Sequence, residues 1–387
     1  MELKNIKDIK VSNKRVFLRV DFNVSMKDGK IEDDFRIKKS LDTIECLLDN
    51  NAKIIIAAHL GRPDGRDSEL TAKPLASRLE ELLDHEVGFV SDCIGEKVKS
   101  AVNDLESGEI LMLENLRYYK EEEANDDNFA RELASYADIY VNDAFSVAHR
   151  AHSSISAITK YLPSFSGVLI AKEVEVLSRV YKSPEHPFVL VMGGAKAPTK
   201  VRLIKRLIDK IDHILLGGVI ANVVLDAKGI SIGKSKIDKT VVESVKELNL
   251  TDPKLHIPVD LVVASELNKD SEVVAISSVD DNHIVFDIGP STIELFSKIV
   301  KNAKMIVWNG PLGFYEVDKF SKGTDEFAEA FCDSKAYKVV GGGESISALD
   351  KIGSLDKIDF VSTGGGAMLE FLSGNKMPGI EPLIKDN

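Results

Sequence analysis

With 387 residues, 44% of them hydrophobic, the chain is too long for one ordinary core and suits two domains of about 150 to 200 residues. Its 62 acidic and 50 basic residues give a formal charge of -12, which disfavours a general nucleic-acid or anionic-membrane surface, so any arginine cluster must serve something small. Cys46, Cys93 and Cys332 stand too far apart for a CxxC redox pair, a zinc knuckle or a disulfide framework, and are expected as buried free thiols.

The start, MELKNIKDIKVSNK, is charged throughout and lacks the apolar segment of a signal peptide. No apolar run approaches the ~20 residues of a membrane span, so a cytoplasmic protein is expected. Strand-like runs then alternate with helical patterns, which predicts βαβ units and parallel sheets. They are RVFLRV, KIIIAA, EILMLE and DIYVN in the first half, and FVLVM, HILL, DLVVA, HIVF, MIVW, KVV and DFVS in the second. Between the halves, SGVLIAKEVEVLSRVYKSPEHP has helical periodicity and stops at Ser183-Pro184 and His186-Pro187, predicting a connecting helix over 167–187 with a hinge at each end. The predicted domains are 1–166 and 188–371. The halves are expected to bind different things, because six of the 26 glycines lie before Gly167 and all the rest from there on.

In open parallel sheets ligands sit beyond the carboxyl ends of the strands. In the first half those positions hold Asp21 and Asn23, with Arg36 soon after; then His59, Gly61 and Arg62; then Asn115 and Arg117; then Asp143, His149, Arg150 and His152. One such arginine is usually solvated or in a surface ion pair, but several at equivalent positions point to a small polyanion, since guanidinium forks match phosphate and carboxylate. His59, His149 and His152 lack an i, i+4 pair or an accompanying ligand set, so hydrogen-bonding roles are expected in place of a transition-metal site.

The second half ends its strands in glycine loops: MGGAKAPTK, LLGGVIAN, DIGPST, WNGPLG, VVGGGES and STGGGAML. Glycine lets backbone N–H groups approach a phosphate and a following helix start adds positive charge, so these loops fit a nucleotide. GISIGKS has three residues between its glycines where a Walker loop has four, and no GxGxxG occurs, which weakens an oxidoreductase reading. Pro198 suits a first helical turn, placing Lys196 just before a helix and Lys200 inside its first turn. Two cations at the positive end of a helix imply an anion there. Glu344 in GGGES either caps its helix or holds Mg2+ beside phosphates.

These residues carry a resemblance. RVFLRVDFNV, HLGRP, LENLRYYKEEEAN, VNDAFSVAHRAHSS, MGGAK, DIGPSTIELF, WNGPLG, FSKGT, VVGGGES and STGGGAMLEFL resemble, in order, the motifs of the phosphoglycerate kinase family, from near residue 15 to near residue 372. The resemblance implies an α/β fold of two doubly wound, Rossmann-like lobes with a cleft between them, the tail 372–387 returning to the first. It implies Mg2+-dependent transfer of the C1 acyl phosphate of 1,3-bisphosphoglycerate to ADP, giving 3-phosphoglycerate and ATP. A monomer acting on these small molecules, without nucleic-acid or membrane partners, is expected.

By the same resemblance Asp21, Asn23, Arg36, His59, Arg62, Arg117 and Arg150 form the triose site, with Arg62, Arg117 and Arg150 around the 3-phosphate. Lys196, Lys200, Gly217, Gly218, Asn309, Glu316, Gly343, Glu344 and Ser345 form the nucleotide site, Glu316 at the ribose and Glu344 at Mg2+. Arg36 and Lys196 would stabilise the transferring group, with N–H groups of Gly364, Gly365 and Gly366 donating to it. Departures from the family pattern are Ser25 for proline, Ser146 and Val147 for Gly-Thr, Thr199 where the residue is often acidic, and Glu344 for aspartate. They put in doubt the rigidity of the first loop, the ordering of Lys196 and the Mg2+ affinity. A catalytically weak binding relative is the alternative; another nucleotide enzyme would not need the arginine set, and two-lobed solute-binding proteins are normally exported.

Overall fold

The computed structural model describes residues 1–195 and 197–385. The chain divides into two compact units, Met1–Val176 with Lys376–Asn387, and Leu177–Asn375. The division falls inside the helix Val168–Lys182, and the tail that groups with the first unit starts at Lys376.

The first unit is built on a parallel six-stranded sheet, in the order Val87–Val90, Ile110–Leu113, Lys53–Ala57, Arg15–Val20, Ile139–Asp143, Ser164–Ser166. Its strands are near-continuous apolar runs because both faces are covered. Alternation assigns the faces: Val16, Leu18, Ile54 and Ile56 pack into one cluster with Ile44 and Leu75. Phe17, Ile55 and Ala57 pack into the other with Leu113, Phe129 and Leu133. The helix Asp127–Ala134 starts where the Asp126 side chain accepts from the N–H groups of Asn128 and Phe129, two donors the helix itself cannot satisfy. The order reverses beside Arg15–Val20, so the loops carrying Asp21 and Arg150 leave neighbouring strands.

The second unit repeats the architecture with Leu255–His256, His213–Leu216, Phe188–Met192, Met305–Asn309, Tyr337–Gly341 and Phe360–Ser362 in spatial order. Numbered along the chain within this sheet, that is the Rossmann order 3-2-1-4-5-6. Its switch point lies between Phe188–Met192 and Met305–Asn309, whose last residues Met192 and Asn309 are in register. Beneath them Trp308 is fully buried, with Phe327 and Phe331 meeting it edge-on at 5.2 Å.

Two runs depart from the parallel expectation. Asp260–Ala264 and Ile284–Ile288 pair antiparallel, and with Glu272–Ala275 they form a separate three-stranded sheet. An apolar run records burial and not strand direction; Asp260–Ala264 is the central strand here, with Glu272–Ala275 and Ile284–Ile288 antiparallel to it on either side. Cys93 and Cys332 are buried free thiols as expected, but Cys46 is only half-buried on its surface helix Leu41–Asp49.

Candidate active site

The first unit gathers cations behind the strand ends. Asp21 is buried and accepts Arg36 Nη1 on Oδ1 and Oδ2 at 3.0 and 2.8 Å. Asn23 Oδ1 accepts the Gly61 N–H at 2.8 Å, and the Gly61 carbonyl accepts Arg117 Nη1 at 2.5 Å, so Gly61 ties two expected ligand residues together. Arg117 is 7% exposed; its Nε lies 3.3 Å from Glu123 Oε1 without hydrogen-bond alignment, and burial lowers its pKa despite that carboxylate. Arg150 Nε donates to His149 Nε2 at 3.3 Å. Arg62 is exposed and makes no hydrogen bond or ion pair among the described residues.

Two histidines of this cluster, His59 and His152, are disfavoured as imidazolium. Burial, then the nearby Arg19, Arg117 and Arg36, hold His59 well below the ordinary imidazole range. Burial and Arg19 likewise bring His152 down to about 4. Each therefore acts as a hydrogen-bonding group within a field set by the arginines.

Sequence reasoning placed Asn115 at a strand end but gave it no role, and it missed Arg19, Glu122 and Ser154 beneath. Asn115 closes the loops by accepting from Leu60 N and Arg117 N, both at 3.1 Å, and donating to the carbonyls of Leu60 and Leu70 at 2.8 and 2.9 Å. Arg19, Glu122 and Ser154 form a buried network behind His59. An arginine inside the apolar run RVFLRV is a readable signal for Arg19. Glu122 stands among three consecutive glutamates, and nothing in the sequence separates it from its neighbours.

In the second unit the glycine loops meet at the switch point. Gly193 N–H donates to Asn309 O at 3.1 Å and Gly194 N–H to Pro311 O at 2.7 Å. A Cβ on Gly193 would overlap the carbonyl oxygen of Pro311, so the approach requires glycine. Gly217 precedes the helix Gly218–Ala227, and the Gly218 N–H donates to Leu312 O at 2.8 Å. Asn309 Nδ2 donates to Gly341 O at 2.8 Å, and Ser345 Oγ accepts the Gly310 N–H at 2.7 Å.

Lys200 lies in the first turn of the helix Ala197–Leu207, buried, with Nζ donating to the Gly193 carbonyl. Lys196 lies outside the described residues. Thr199 is half-buried, and Val147 packs in a small cluster with Ala144 and Ile155. Gly364 departs from its expected role: its N–H is taken by Ser362 Oγ at 3.1 Å. Gly365, with φ 40°, precedes the helix Gly366–Leu372.

These loops wall two adjoining cavities. One, of about 390 Å³, is lined by Gly194, Gly218, Asn222, Leu312, Phe314 and Glu316. The other, of about 670 Å³, is lined by Lys200, Asn309, Gly343, Gly365 and Gly366, and Glu344 lines both. The first is walled largely by apolar side chains, the second by glycine backbone with Lys200 and Asn309. Asn222 was missed; it is the one amide in the apolar helix GVIANVVLDA, and its Oδ1 is buried without a partner while Nδ2 reaches Lys236 O at 3.4 Å.

Glu344 is an exposed carboxylate in the first turn of Gly343–Lys351 and takes no hydrogen bond or ion pair among the described residues. Nor do the described residues contain a cluster of three or more His, Cys, Asp or Glu side chains able to hold a metal. One free oxygen donor beside a phosphate-sized cavity fits Mg2+, which takes few protein ligands and shares itself with substrate phosphates.

A family model described as phosphoglycerate kinase matches residues 6–375. The phosphoglycerate kinase of Moorella thermoacetica is 45% identical, over 98% of this chain and 98% of its own length. That of Finegoldia magna is 44% identical, over 98% and 99%. Among solved structures, phosphoglycerate kinase from Coxiella burnetii matches with a TM-score of 0.85 at 38% identity over 99% of both chains. The Pyrococcus horikoshii enzyme matches with 0.88 at 35% identity over 98% of both. Motifs, paired parallel sheets and whole-chain similarity agree, and the chain belongs to the phosphoglycerate kinase family.

Proposed function

We propose that this chain transfers the C1 acyl phosphate of 1,3-bisphosphoglycerate reversibly to ADP, giving 3-phosphoglycerate and ATP. The observation that carries the reading is the Gly193–Pro311 and Gly218–Leu312 backbone approach, which walls a nucleotide-sized cavity in a chain whose other unit holds the arginine cluster. Asp21, Asn23, Arg36, His59, Arg62, Arg117 and Arg150 would bind the triose, the last three arginines its 3-phosphate. Lys196, Lys200, Gly217, Gly218, Asn309, Glu316, Gly343, Glu344 and Ser345 would bind the nucleotide.

Little covalent help is needed, because the leaving carboxylate is stable and the ADP β-phosphate oxygen is the nucleophile. Alignment and charge stabilisation do the work. Arg36 and Lys196 would face the transferring group, with the Gly365 backbone beside it. Glu344 would hold Mg2+, which when bound supplies charge neutralisation on the nucleotide phosphates. Since triose and nucleotide ligands are assigned to different units, turnover requires them to be brought together; we assign that motion to the helix Val168–Lys182.

The test is a coupled assay with 3-phosphoglycerate, ATP and Mg2+, drawing product through glyceraldehyde-3-phosphate dehydrogenase and following NADH loss. Activity should vanish when 3-phosphoglycerate or Mg2+ is omitted, and Lys196→Ala should abolish most of it. A folded protein that binds both ligands without turnover would be the catalytically weak relative instead.

A further inference from the structure

Behind the arginines of the first unit runs a chain of hydrogen bonds whose direction is fixed by its members. Glu122 is fully buried and accepts twice from Ser154, the backbone N–H on Oε2 at 2.9 Å and the hydroxyl on Oε1 at 2.6 Å. A carboxylate only accepts, so the Ser154 proton is committed to Glu122 and Oγ is left to accept the Arg19 Nε–H at 2.9 Å. Arg19 is 1% exposed; its Nη1 donates to the Val20 carbonyl, and its Nη2 meets His59 Nδ1 at 3.0 Å. Guanidinium offers no acceptor, so Nδ1 of His59 contributes its lone pair and the ring proton must sit on Nε2. Nε2 makes no hydrogen bond among the described residues, which leaves one oriented donor on a side chain that is only 2% exposed.

We propose that Arg19, anchored through Ser154 by Glu122, is a positioning residue that locks His59 as the neutral Nε2–H tautomer, so that His59 offers the anionic ligand of this cluster a directed hydrogen bond and no charge. The inference rests on the reading of the cluster as the triose site. The groups facing His59 are Arg19 from the strand Arg15–Val20, Arg36 from the helix Phe35–Lys39, Arg117 from the turn Leu116–Tyr118, and His152. The carboxylate of Asp21, two residues beyond Arg19, is taken up by Arg36. A second proton on His59 would add a charge to a cationic field inside a buried site, which disfavours the imidazolium and leaves the Arg19 contact to choose the tautomer. Glu122 balances Arg19 from the far side, which lets a buried guanidinium serve as a fixed donor without drawing a ligand to itself.

The experiment is a pH series of long-range nitrogen–proton spectra of the imidazoles in the full chain labelled with 15N-histidine, His59 being identified by the signal lost in His59→Gln. The unliganded protein should show a constant Nε2–H pattern for His59. In Arg19→Met the pattern should turn into a tautomer mixture that titrates, with the 3-phosphoglycerate KM raised about tenfold and kcat changed far less. Glu122→Gln, which keeps the shape and removes the charge, should move both in the same direction by a smaller amount. If Arg19→Met does not fold, the wild-type series and Glu122→Gln decide. A His59 carrying its proton on Nδ1, titrating between about pH 6 and 7, or unmoved in a folded Arg19→Met or Glu122→Gln overturns the proposal. A locked tautomer whose signals ignore saturating 3-phosphoglycerate supports the relay and overturns the triose reading of the cluster.

Discussion

Arg36 donates from a single nitrogen, Nη1, to both carboxylate oxygens of Asp21, and so leaves Nε and Nη2 for another partner. The buried Asp21 holds in place a guanidinium whose side chain is still one-third exposed. Replacing Asp21 by Asn loses the charge that orients Arg36 but also removes a negative charge beside an anionic ligand. The two effects oppose each other in binding and not in catalysis. Asp21→Asn is therefore expected to lower kcat by about tenfold or more, the worth of one charge-assisted hydrogen bond, while the 3-phosphoglycerate KM moves by less than about threefold. Steady-state kinetics with each substrate varied would check this, and a large KM effect at unchanged kcat would show that Asp21 serves triose binding alone and not the orientation of Arg36.

The switch point of the second unit makes a sharper structural demand. A methyl group on Gly193 meets the Pro311 carbonyl, a backbone atom that cannot swing aside. Gly193→Ala is expected to push apart the strand ends at Met192 and Asn309, costing roughly 1–3 kcal/mol of stability in this unit. ATP affinity should fall while 3-phosphoglycerate affinity is kept. Since Trp308 is the sole tryptophan and is buried under these loops, its fluorescence follows the unit directly during urea unfolding. Wild-type stability together with wild-type ATP binding in this variant would mean that the loops need not approach so closely.

How far the sequence could be read depended on what each residue type reveals. Asp21, His59 and Arg117 could be picked out as candidates because a buried parallel strand has a recognisable end, and all three do follow strand ends here. Their pairings were not legible. That Arg36 binds Asp21, or that Gly61 bridges Asn23 to Arg117, depends on distances across the sheet which no local pattern encodes. The antiparallel pairing of Asp260–Ala264 was misread because burial alone gives a strand no direction, and two-residue strands such as Leu255–His256 are too short to show a period. Arg19 was passed over inside a strand that was otherwise correctly placed, since attention to strand ends discounts what the middle holds.

Glu344 separates metal use from triose binding. Glu344 lines both cavities of the second unit and is bound to nothing among the described residues, so Glu344→Ala should leave folding and 3-phosphoglycerate affinity unchanged. The Mg2+ concentration for half-maximal activity should rise about tenfold. Titrating nucleotide affinity against Mg2+ gives a readout that does not depend on turnover: the Mg2+-dependent part of ATP binding should shrink and the Mg2+-free part should strengthen slightly, because a negative charge near the phosphates is gone. If Mg2+ dependence is unchanged in both measurements, the ion is held elsewhere.

Two buried acids make stability depend on pH. Asp143 ends its strand with Oδ1 accepting the N–H groups of Leu169 and Ile170 at 3.0 and 3.2 Å, while Oδ2 is buried without a partner. Desolvation outweighs the nearby Thr43 hydroxyl and those donors and pushes its carboxyl up to about 7. Asp287, accepting from Gly323 N at 2.6 Å and Ile288 N at 2.9 Å, is likewise pushed by burial to about 7. Both folded values exceed the unfolded one of about 3.9, so the folded chain holds more protons between about pH 4 and 7. Stability from these groups is complete below that window, falls as pH rises through it, and is level above.

Asparagine at 143 keeps an oxygen for Leu169 and Ile170 and cannot ionise. Asp143→Asn should therefore carry a fixed cost at pH 5 that shrinks or reverses by pH 8, a change of at most a few kcal/mol. At 287 both oxygens already accept a backbone N–H, so an amide nitrogen must face a donor; Asp287→Asn should show the same pH trend on top of a larger fixed cost. Urea unfolding at pH 5 and pH 8, followed by Trp308 fluorescence for Asp287 and by amide exchange in the helix Val168–Lys182 for Asp143, checks both. A stability difference between variant and wild type that stays constant from pH 5 to 8 would mean that the carboxyls are already ionised, and that the N–H groups donated to them outweigh their burial.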